Sequence, residues 1–254
     1  MRKALLVLVT AVPATAHAGR TFYGWLNGTE VMPERGVELQ TWISEENEQR
    51  NPEHHETRWF FSPLVGITDQ LEVGFPLEFL WASAETPTGN TTVNRFDNFG
   101  IEARYRFVTQ DPEDAPEFAP LVRVAVKRLI AERDTVRPEL DFVASYETGI
   151  VHILADVGFA AVIDPNAKTA DPMNGKTTKL EIHPGLGVSV LAVGDLRVGV
   201  EGYAELKLDD KTDSWIAVGP DVSWTHGRFW LTATYAIGLY QITNAPRVLC
   251  GIAF

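Results

Sequence analysis

The 254-residue sequence is poor in cysteine, in basic residues and in long apolar runs. Its one cysteine, Cys250, has no partner for an internal disulfide. The 22 lysine and arginine residues are outnumbered by 34 aspartate and glutamate residues, and a formal net charge of -12 argues against nucleic acid as a partner. After residue 18 no apolar run approaches the roughly 20 residues that a spanning helix needs. Transmembrane helices are therefore not expected.

The overall composition is that of an ordinary folded protein. Hydrophobic residues make up 45% of the chain and charged residues 22%. These fractions argue against disorder, a collagen-like chain and a disulfide scaffold. The length suits one domain better than two.

The first 18 residues have the three parts of a secretory signal. Arg2 and Lys3 precede an apolar run from Ala4 to Val12, and Ala16-His17-Ala18 supplies the small residues that a signal peptidase needs. A short N-terminal helix is the alternative, but Pro13 would break it. We therefore expect the protein to be exported.

Apolar and polar residues alternate along most of the remaining chain. From Leu71 to Trp81 every odd position is apolar, whereas Glu72 and Glu78 occupy even positions. Such alternation predicts a β-strand with one apolar and one polar face, and about ten residues suffice for a tilted strand to cross a bilayer. Twelve strands follow from this and related patterns: Val37–Ser44, Thr57–Leu64, Leu71–Trp81, Asn98–Phe107, Val122–Lys127, Leu140–Glu147, Val151–Phe159, Lys179–Val190, Leu196–Glu205, Ile216–Trp224, Arg228–Gly238 and Arg247–Phe254.

The connections between these strands alternate between short and long. Thr148-Gly149 and His226-Gly227 are very short, whereas Glu45 to Glu56 and Asp164 to Thr178 are long. The intermediate connection Val108 to Glu117 is the one exception. Outer-membrane barrels have short turns on the periplasmic side, longer loops outside and an even number of strands. The pattern favours such a barrel over a soluble β-sandwich.

Aromatic residues gather near the predicted strand ends, as in the two aromatic belts of membrane barrels. A soluble β core would explain the aromatic content but not this placement. The predicted loop-end belt contains Trp42, Trp59, Trp81 and Trp215. The predicted turn-end belt contains Tyr105, Phe107, Tyr146, Trp224, Phe229 and Phe254.

We therefore predict an all-β fold: a twelve-stranded, antiparallel, up-and-down transmembrane β-barrel in the bacterial outer membrane. Residues 1–18 form the signal peptide, residues 19–36 a short N-terminal periplasmic segment and residues 37–254 the barrel. The expected partners are outer-membrane lipid, lipopolysaccharide, a small-molecule solute and the barrel-assembly machinery, which would read the terminal aromatic Phe254. We expect a monomer with no nucleic-acid partner.

Two stretches resemble a family of bacterial outer-membrane barrels. The segment Phe61 to Gly74, with its Gly66-Ile67-Thr68-Asp69 turn, is similar to the strand-turn-strand unit of transporters named for the MetA pathway of phenol degradation. The lead-in Pro33 to Leu39 resembles the first strand of that group. The resemblance implies a transport barrel, loosely related to channels for hydrophobic compounds, without catalytic residues.

The sequence offers little support for an enzyme or a metal site. A lipid-hydrolysing barrel needs a serine and a histidine together on the lipid-facing surface. The candidates all fall on the polar face instead: Ser145, Ser189, Ser223, His152 and His183. Glu53-His54-His55-Glu56 contains metal-ligand residue types, but neighbours on an extended chain point in opposite directions and two ligands alone make a weak site. We therefore interpret this segment as a solvated loop rather than a metal site. We expect no enzyme, cofactor or metal, and leave open a lipid-modifying site in the lumen or at the rim.

The polar faces should line the interior. The predicted pore-lining residues are Glu72, Glu78, Glu102, Arg104, Arg106, Arg123, Lys127, Asp141, Glu147, His152, Asp156, Glu181, His183, Arg197, Glu201, Glu205 and Arg228. The expected narrowest point is a turn-end cluster of Arg104, Arg106, Arg123, Glu72 and Glu147. Twelve strands enclose more space than the eight whose side chains just fill a barrel. We expect a narrow channel for passive or weakly selective uptake of small molecules, which the family resemblance implies to be hydrophobic, with a closed structural or adhesive barrel as the alternative.

Overall fold

The computed structural model describes residues 21–48, 54–86, 89–111, 113–131, 134–167, 178–209 and 214–254. In this part of the chain, no helix is both long and apolar enough to cross a membrane. The described residues form thirteen β-strands: β1 (Val37–Glu48), β2 (His54–Gly66), β3 (Leu71–Gly74), β4 (Leu77–Thr86), β5 (Gly89–Arg106), β6 (Phe118–Leu129), β7 (Val136–Thr148), β8 (Val151–Ile163), β9 (Thr178–Val193), β10 (Leu196–Lys207), β11 (Trp215–His226), β12 (Phe229–Tyr240) and β13 (Ile242–Ala253).

The strands close into a twelve-stranded barrel, which confirms the predicted fold. β3 and β4 act as one strand that is interrupted at Phe75-Pro76, because both pair with β2 and β5. Pro76 has no backbone N–H, so it cannot donate to the hydrogen-bond ladder there. Each strand is antiparallel to its neighbours, and β1 pairs with β13 to close the sheet.

The two faces of the barrel are inverted relative to those of a water-soluble protein. Ile101, Phe142 and Tyr235 on the outer face are more than half exposed, at 52%, 54% and 51%. Glu72 and Glu201 on the inner face are almost fully buried. An apolar exterior around a polar interior is the arrangement of a barrel that stands in lipid.

The structure corrects part of the predicted aromatic belts. Trp59 and Trp81 lie on the outer face, as do all six predicted turn-end aromatics. Trp42 and Trp215 instead point into the barrel, and Trp215 is 1% exposed. Their positions share the inward parity of Ser44 and Asp221, so alternation should have outweighed their nearness to the strand ends.

The tight turns 149–150, 194–195 and 227–228 share one end of the barrel, which we call the turn end; the opposite end is the loop end. The connection 107–117, the exception noted above, also lies at the turn end. At the loop end several strands are longer than predicted. β12 and β13 are joined by Gln241 alone, where we expected a loop through Pro246. His54 and Glu56 belong to β2 rather than to a loop, and Glu53 lies outside the described residues.

Candidate functional site

The chain that precedes β1 lies inside the barrel. Residues 21–32, which we call the inner segment, enter and leave on the turn-end side. At one end the Met32 N–H donates to Glu72 (2.7 Å), and at the other the Thr232 hydroxyl donates to the Thr21 carbonyl (2.8 Å). Between these two contacts the segment extends toward the loop end, and Trp25 is the residue that reaches farthest. Residues 21–32, which the sequence analysis had assigned to the periplasmic segment 19–36, thus form part of the barrel interior.

Lumen carboxylates hold the backbone amides of the inner segment. Both oxygens of Glu201 accept hydrogen bonds, one from the Gly24 N–H (2.8 Å) and one from the Trp25 N–H (2.9 Å). Asp156 accepts from the backbone and the side-chain amide of Asn27, at 3.0 and 2.9 Å. Hydrogen bonds to a charged acceptor are stronger than those between neutral groups. The predicted lumen acids therefore accept hydrogen bonds from backbone N–H groups that are buried away from water.

Lumen guanidinium groups hold the carbonyls of the same segment. Arg104 donates to the Gly28 carbonyl, and Arg106 donates to the Thr29 carbonyl at 3.1 Å. The Thr29 hydroxyl also lies 2.6 Å from Ser145 Oγ. Buried backbone groups need such partners because no strand pairs with this segment. Carboxylates accept hydrogen bonds from the amides of the inner segment, and guanidinium groups donate to its carbonyls. A segment without regular secondary structure therefore has hydrogen-bond partners inside the barrel.

Tyr23 is fully buried against the wall formed by β8 and β9. Its hydroxyl donates to the His152 carbonyl at 2.9 Å and lies 3.1 Å from His152 Nδ1 and 3.4 Å from Ser189 Oγ. Burial raises the pKa of the Tyr23 hydroxyl, which therefore stays protonated. His152 and Ser189 face each other across the two strands, inside the lumen, and Tyr23 covers both. This serine-histidine pair is therefore separated from the lipid-facing surface.

The predicted turn-end cluster does not form as one group. Arg104 and Glu72 form an ion pair (3.2 Å), but Arg123 pairs with Glu102 and Asp141, at 2.9 and 2.7 Å. The strand register explains the difference, because Asp141 lies directly opposite Arg123. The remaining two members also bind elsewhere: Arg106 to the inner segment and Glu147 to Arg197.

Most predicted pore-lining residues face the interior. Glu147 lies at the rim with its side chain 48% exposed, and Arg228 is exposed in the turn between β11 and β12. Arg228 lies outside the interior because the strand alternation ends at this turn. The residues that face inward are Glu72, Glu78, Glu102, Arg104, Arg106, Arg123, Lys127, Asp141, His152, Asp156, Glu181, His183, Arg197, Glu201 and Glu205.

Above the inner segment, side-chain ion pairs cover the wall of the lumen. Glu139 is surrounded by Arg123 (3.0 Å), Lys127 (3.0 Å) and Arg137 (3.1 Å), and Arg137 also reaches Glu181 (2.7 Å). The sequence analysis missed Glu139 and Arg137 because it began this strand at Leu140. Continuing the alternation backwards through Pro138 would have found both.

A second group of ion pairs centres on Arg58 of β2. Its guanidinium contacts Glu56 (2.5 Å), Glu78 (2.7 Å) and Asp97 (3.6 Å). Asp97 reaches the interior through a β-bulge, where the register between β4 and β5 shifts by one residue. Strict alternation could not have placed Asp97 and Asn98 on the same side of the sheet.

These groups surround an open cavity of about 350 Å³ in the loop-end half of the barrel. Glu48, Ala131 and Lys207 line it near the loop ends of their strands, and Trp25 of the inner segment lines it from below. A smaller cavity of about 70 Å³ lies beside the inner segment, against Arg104 and other wall residues. Among the described residues, the interior therefore has its larger cavity above the inner segment and its smaller cavity beside it.

Three lumen side chains have the composition of a metal site. Ligand atoms of Glu181, His183 and Glu205 all lie within 4.8 Å of one another. Cations of the protein already occupy the carboxylates: Arg137 lies 2.7 Å from Glu181, and Lys207 lies 3.3 Å from Glu205. These ion pairs neutralise the charge that would attract a metal ion.

Comparisons with known proteins identify a fold and no family. The chain matches no protein-family model and no curated protein, so the resemblance to the MetA-pathway group stays a prediction. Among solved structures, it is similar to the COG4313 outer membrane channel from Pseudomonas putida F1, with a TM-score of 0.64 and 10% identity over 89% of this chain and 98% of that one.

Two further structures show the same likeness. The beta domain of the Bordetella autotransporter BrkA has a TM-score of 0.57 and 13% identity over 86% of this chain and 99% of that one. The NanC porin has a TM-score of 0.51 and 10% identity over 85% of this chain and 98% of that one. This chain has the fold of outer-membrane β-barrels. By their names these neighbours include a channel, an autotransporter domain and a porin, so the fold alone does not specify a solute.

Proposed function

We propose that the protein is an outer-membrane channel for passive or weakly selective uptake of small molecules. The observation that carries the proposal is the open cavity of about 350 Å³, which extends from the loop ends of the strands down to Trp25. Charged side chains line it, which favours polar or charged solutes over hydrophobic ones. The channel and porin among the structural neighbours agree with this function.

The inner segment would make the channel narrow. It lies in the turn-end half of the interior, with a cavity of about 70 Å³ beside it. A solute would pass along this remaining space or displace the segment. Either route restricts passage to small molecules.

The proposal includes the route by which the protein reaches the membrane. Residues 1–18 would direct export, and the barrel-assembly machinery would insert the barrel into the outer membrane. The apolar outer face would then contact outer-membrane lipid and lipopolysaccharide, with the protein as a monomer. Heat-modifiable migration of the detergent-solubilised protein in gels would test its assembly into a barrel.

A closed structural barrel is the second candidate. It is favoured by the many hydrogen bonds between the inner segment and the barrel wall, where Glu201 alone accepts hydrogen bonds from two backbone amides. In that case the loop-end cavity would be a surface pocket that is closed at its base by the inner segment.

Conductance in a planar lipid bilayer separates the two candidates. We expect the purified full chain to give discrete, small conductance steps. Liposomes that contain it should swell in an isosmotic solution of a small sugar and not in one of a large oligosaccharide. A protein that migrates as a folded barrel but gives neither conductance steps nor swelling would refute the channel and support the closed barrel.

A further inference from the structure

The loop-end cavity has one basic and one acidic residue whose side chains form no ion pair or hydrogen bond with the described part of the chain. Among the described residues that line it, six are acidic and six are basic. Arg58, Arg95, Lys127, Arg137 and Lys207 each form at least one ion pair with a carboxylate. Arg247 and Glu46 also line the cavity, and neither forms an ion pair or hydrogen bond with any residue in the described ranges.

Two tryptophan rings hold Arg247. Its guanidinium carbon lies 4.8 Å from the centre of the Trp25 ring and 4.3 Å from the centre of the Trp42 ring. The Trp25 indole N–H donates to the Ala245 carbonyl at 3.0 Å, which fixes that ring beside β13. Stacking engages the faces of the guanidinium and leaves its N–H edge for a ligand. Arg247 Nε is buried and has no hydrogen-bond acceptor in the described part of the chain.

Glu46 lies close to this guanidinium on the neighbouring strand. The register of β1 and β13 places Ser44 opposite Arg247, and Glu46 is two residues farther along β1 on the same face. The strand positions of two such diagonal neighbours are about 7–8 Å apart, a distance that long side chains can bridge. Glu46 is 9% exposed, and although the positive charge of Arg58 acts on it, no cation of the described residues forms an ion pair with it.

We propose that Arg247 and Glu46 form a binding subsite for a small zwitterionic solute of the amino-acid type. The solute carboxylate would take the free edge of Arg247, which suits the planar fork of a guanidinium. The solute ammonium would bind Glu46. A molecule with both charges satisfies both groups and leaves the balance of six acids and six bases unchanged, whereas a simple anion or cation satisfies only one.

This inference rests on the proposed function and deepens it by naming the solute class, because a solute of the proposed channel would pass the subsite in the loop-end cavity. Binding can nevertheless be measured without transport. Isothermal titration of the purified full chain in detergent would use L-alanine and its two single-charge fragments, propionate and ethylamine. We expect L-alanine to bind at least about tenfold more tightly than either fragment, the change that one lost hydrogen bond to a charged group produces.

Variants assign each half of the subsite. Glu46→Gln should lower the affinity for L-alanine to that for propionate, and Arg247→Gln should lower it to that for ethylamine. Arg247→Lys keeps the charge but loses the planar fork, and should also weaken binding. Asp97→Asn and Arg95→Gln are matched controls, since they remove a charge from the same cavity at residues that already have a partner. Both controls should bind L-alanine within about twofold of the natural chain, a change well below the loss of a charged hydrogen bond.

The inference is overturned if the three probes bind equally, if L-alanine does not bind, or if the controls lose as much affinity as the Glu46 and Arg247 variants. Heat-modifiable migration identifies the variants that fold, and Arg247→Lys replaces Arg247→Gln if the latter does not. Conductance of the same preparations tests the channel separately. Binding of L-alanine without conductance refutes the channel and keeps the subsite, whereas conductance without selective binding overturns the subsite alone.

Discussion

In the two halves of the barrel interior, the charged residues of the wall have different kinds of partner. In the turn-end half, wall residues such as Glu201 and Arg104 hold the main chain of the inner segment. In the loop-end half, wall residues such as Arg58 and Glu78 hold one another and leave a cavity of about 350 Å³. Twelve strands enclose more space than side chains alone can fill. The protein fills one half with its own backbone, whereas the described residues leave a cavity in the other.

The two halves should also respond differently to substitution. The inner segment is held by many single hydrogen bonds, each worth about 1 kcal/mol net and more where one partner is charged. The loop-end wall is held by linked ion pairs, in which the removal of one member leaves several charges without a partner. Changes to the inner segment should therefore alter passage, and changes to the ion pairs should mainly alter stability.

The largest expected effect comes from replacing the inner segment. A chain with glycine and serine in place of residues 21–32, at the same length, loses the Trp25 tip and the buried Tyr23. We expect a several-fold larger single-channel conductance, because the turn-end half would then resemble the open half. Glu34→Ser with Arg35→Ser is the control, since both side chains are mostly exposed. An unchanged conductance after segment replacement would show that the constriction lies elsewhere.

Removing the central cation of the ion-pair network should have the next largest effect. Arg123→Ala leaves Glu102, Glu139 and Asp141 without this partner in a confined space. We expect the free energy of unfolding in detergent, measured with urea, to fall by about 3–5 kcal/mol. The reversal potential in a salt gradient should shift toward cation preference.

Arg95→Ala is the control for that variant. Its side chain is 41% exposed and pairs with Asp97, which Arg58 also approaches. The expected loss of stability is below about 1 kcal/mol. Equal losses for the Arg123 and Arg95 variants would contradict the idea that a linked network stabilises the loop-end wall.

The smallest of these effects concerns a single methyl group beneath Tyr23. A β-carbon at Gly187 would overlap the Tyr23 ring, which is buried and cannot move aside freely. We expect Gly187→Ala to cost about 1–3 kcal/mol of unfolding free energy and to loosen the inner segment, measured by faster hydrogen exchange of its amides. The control is Gly202→Ala, whose new methyl group would have 3.9 Å to its nearest neighbour. If exchange is equally slow in both variants, Tyr23 does not anchor the segment.

Local patterns in the sequence were enough to predict the barrel. The alternation from Leu71 to Trp81 places Glu72 and Glu78 inside, and the structure has both there. Period two also predicted the inward histidines, His152 and His183. Errors arose where the alternation shifts or continues past the predicted strand end. The bulge at Asp97 is one example, and Arg137 and Glu139 of β7 are another.

The strands and the polar face of each strand follow from the spacing of neighbouring residues, so they can be derived from the sequence alone. What fills the interior depends instead on contacts between distant parts of the chain. The contact between Tyr23 and His152 joins residues 129 positions apart, and that between Gly24 and Glu201 joins residues 177 apart. The inner segment has no period that marks it, since its partners come from strands on opposite walls. Only closure of the barrel brings those walls around it and places Arg247 between Trp25 and Trp42.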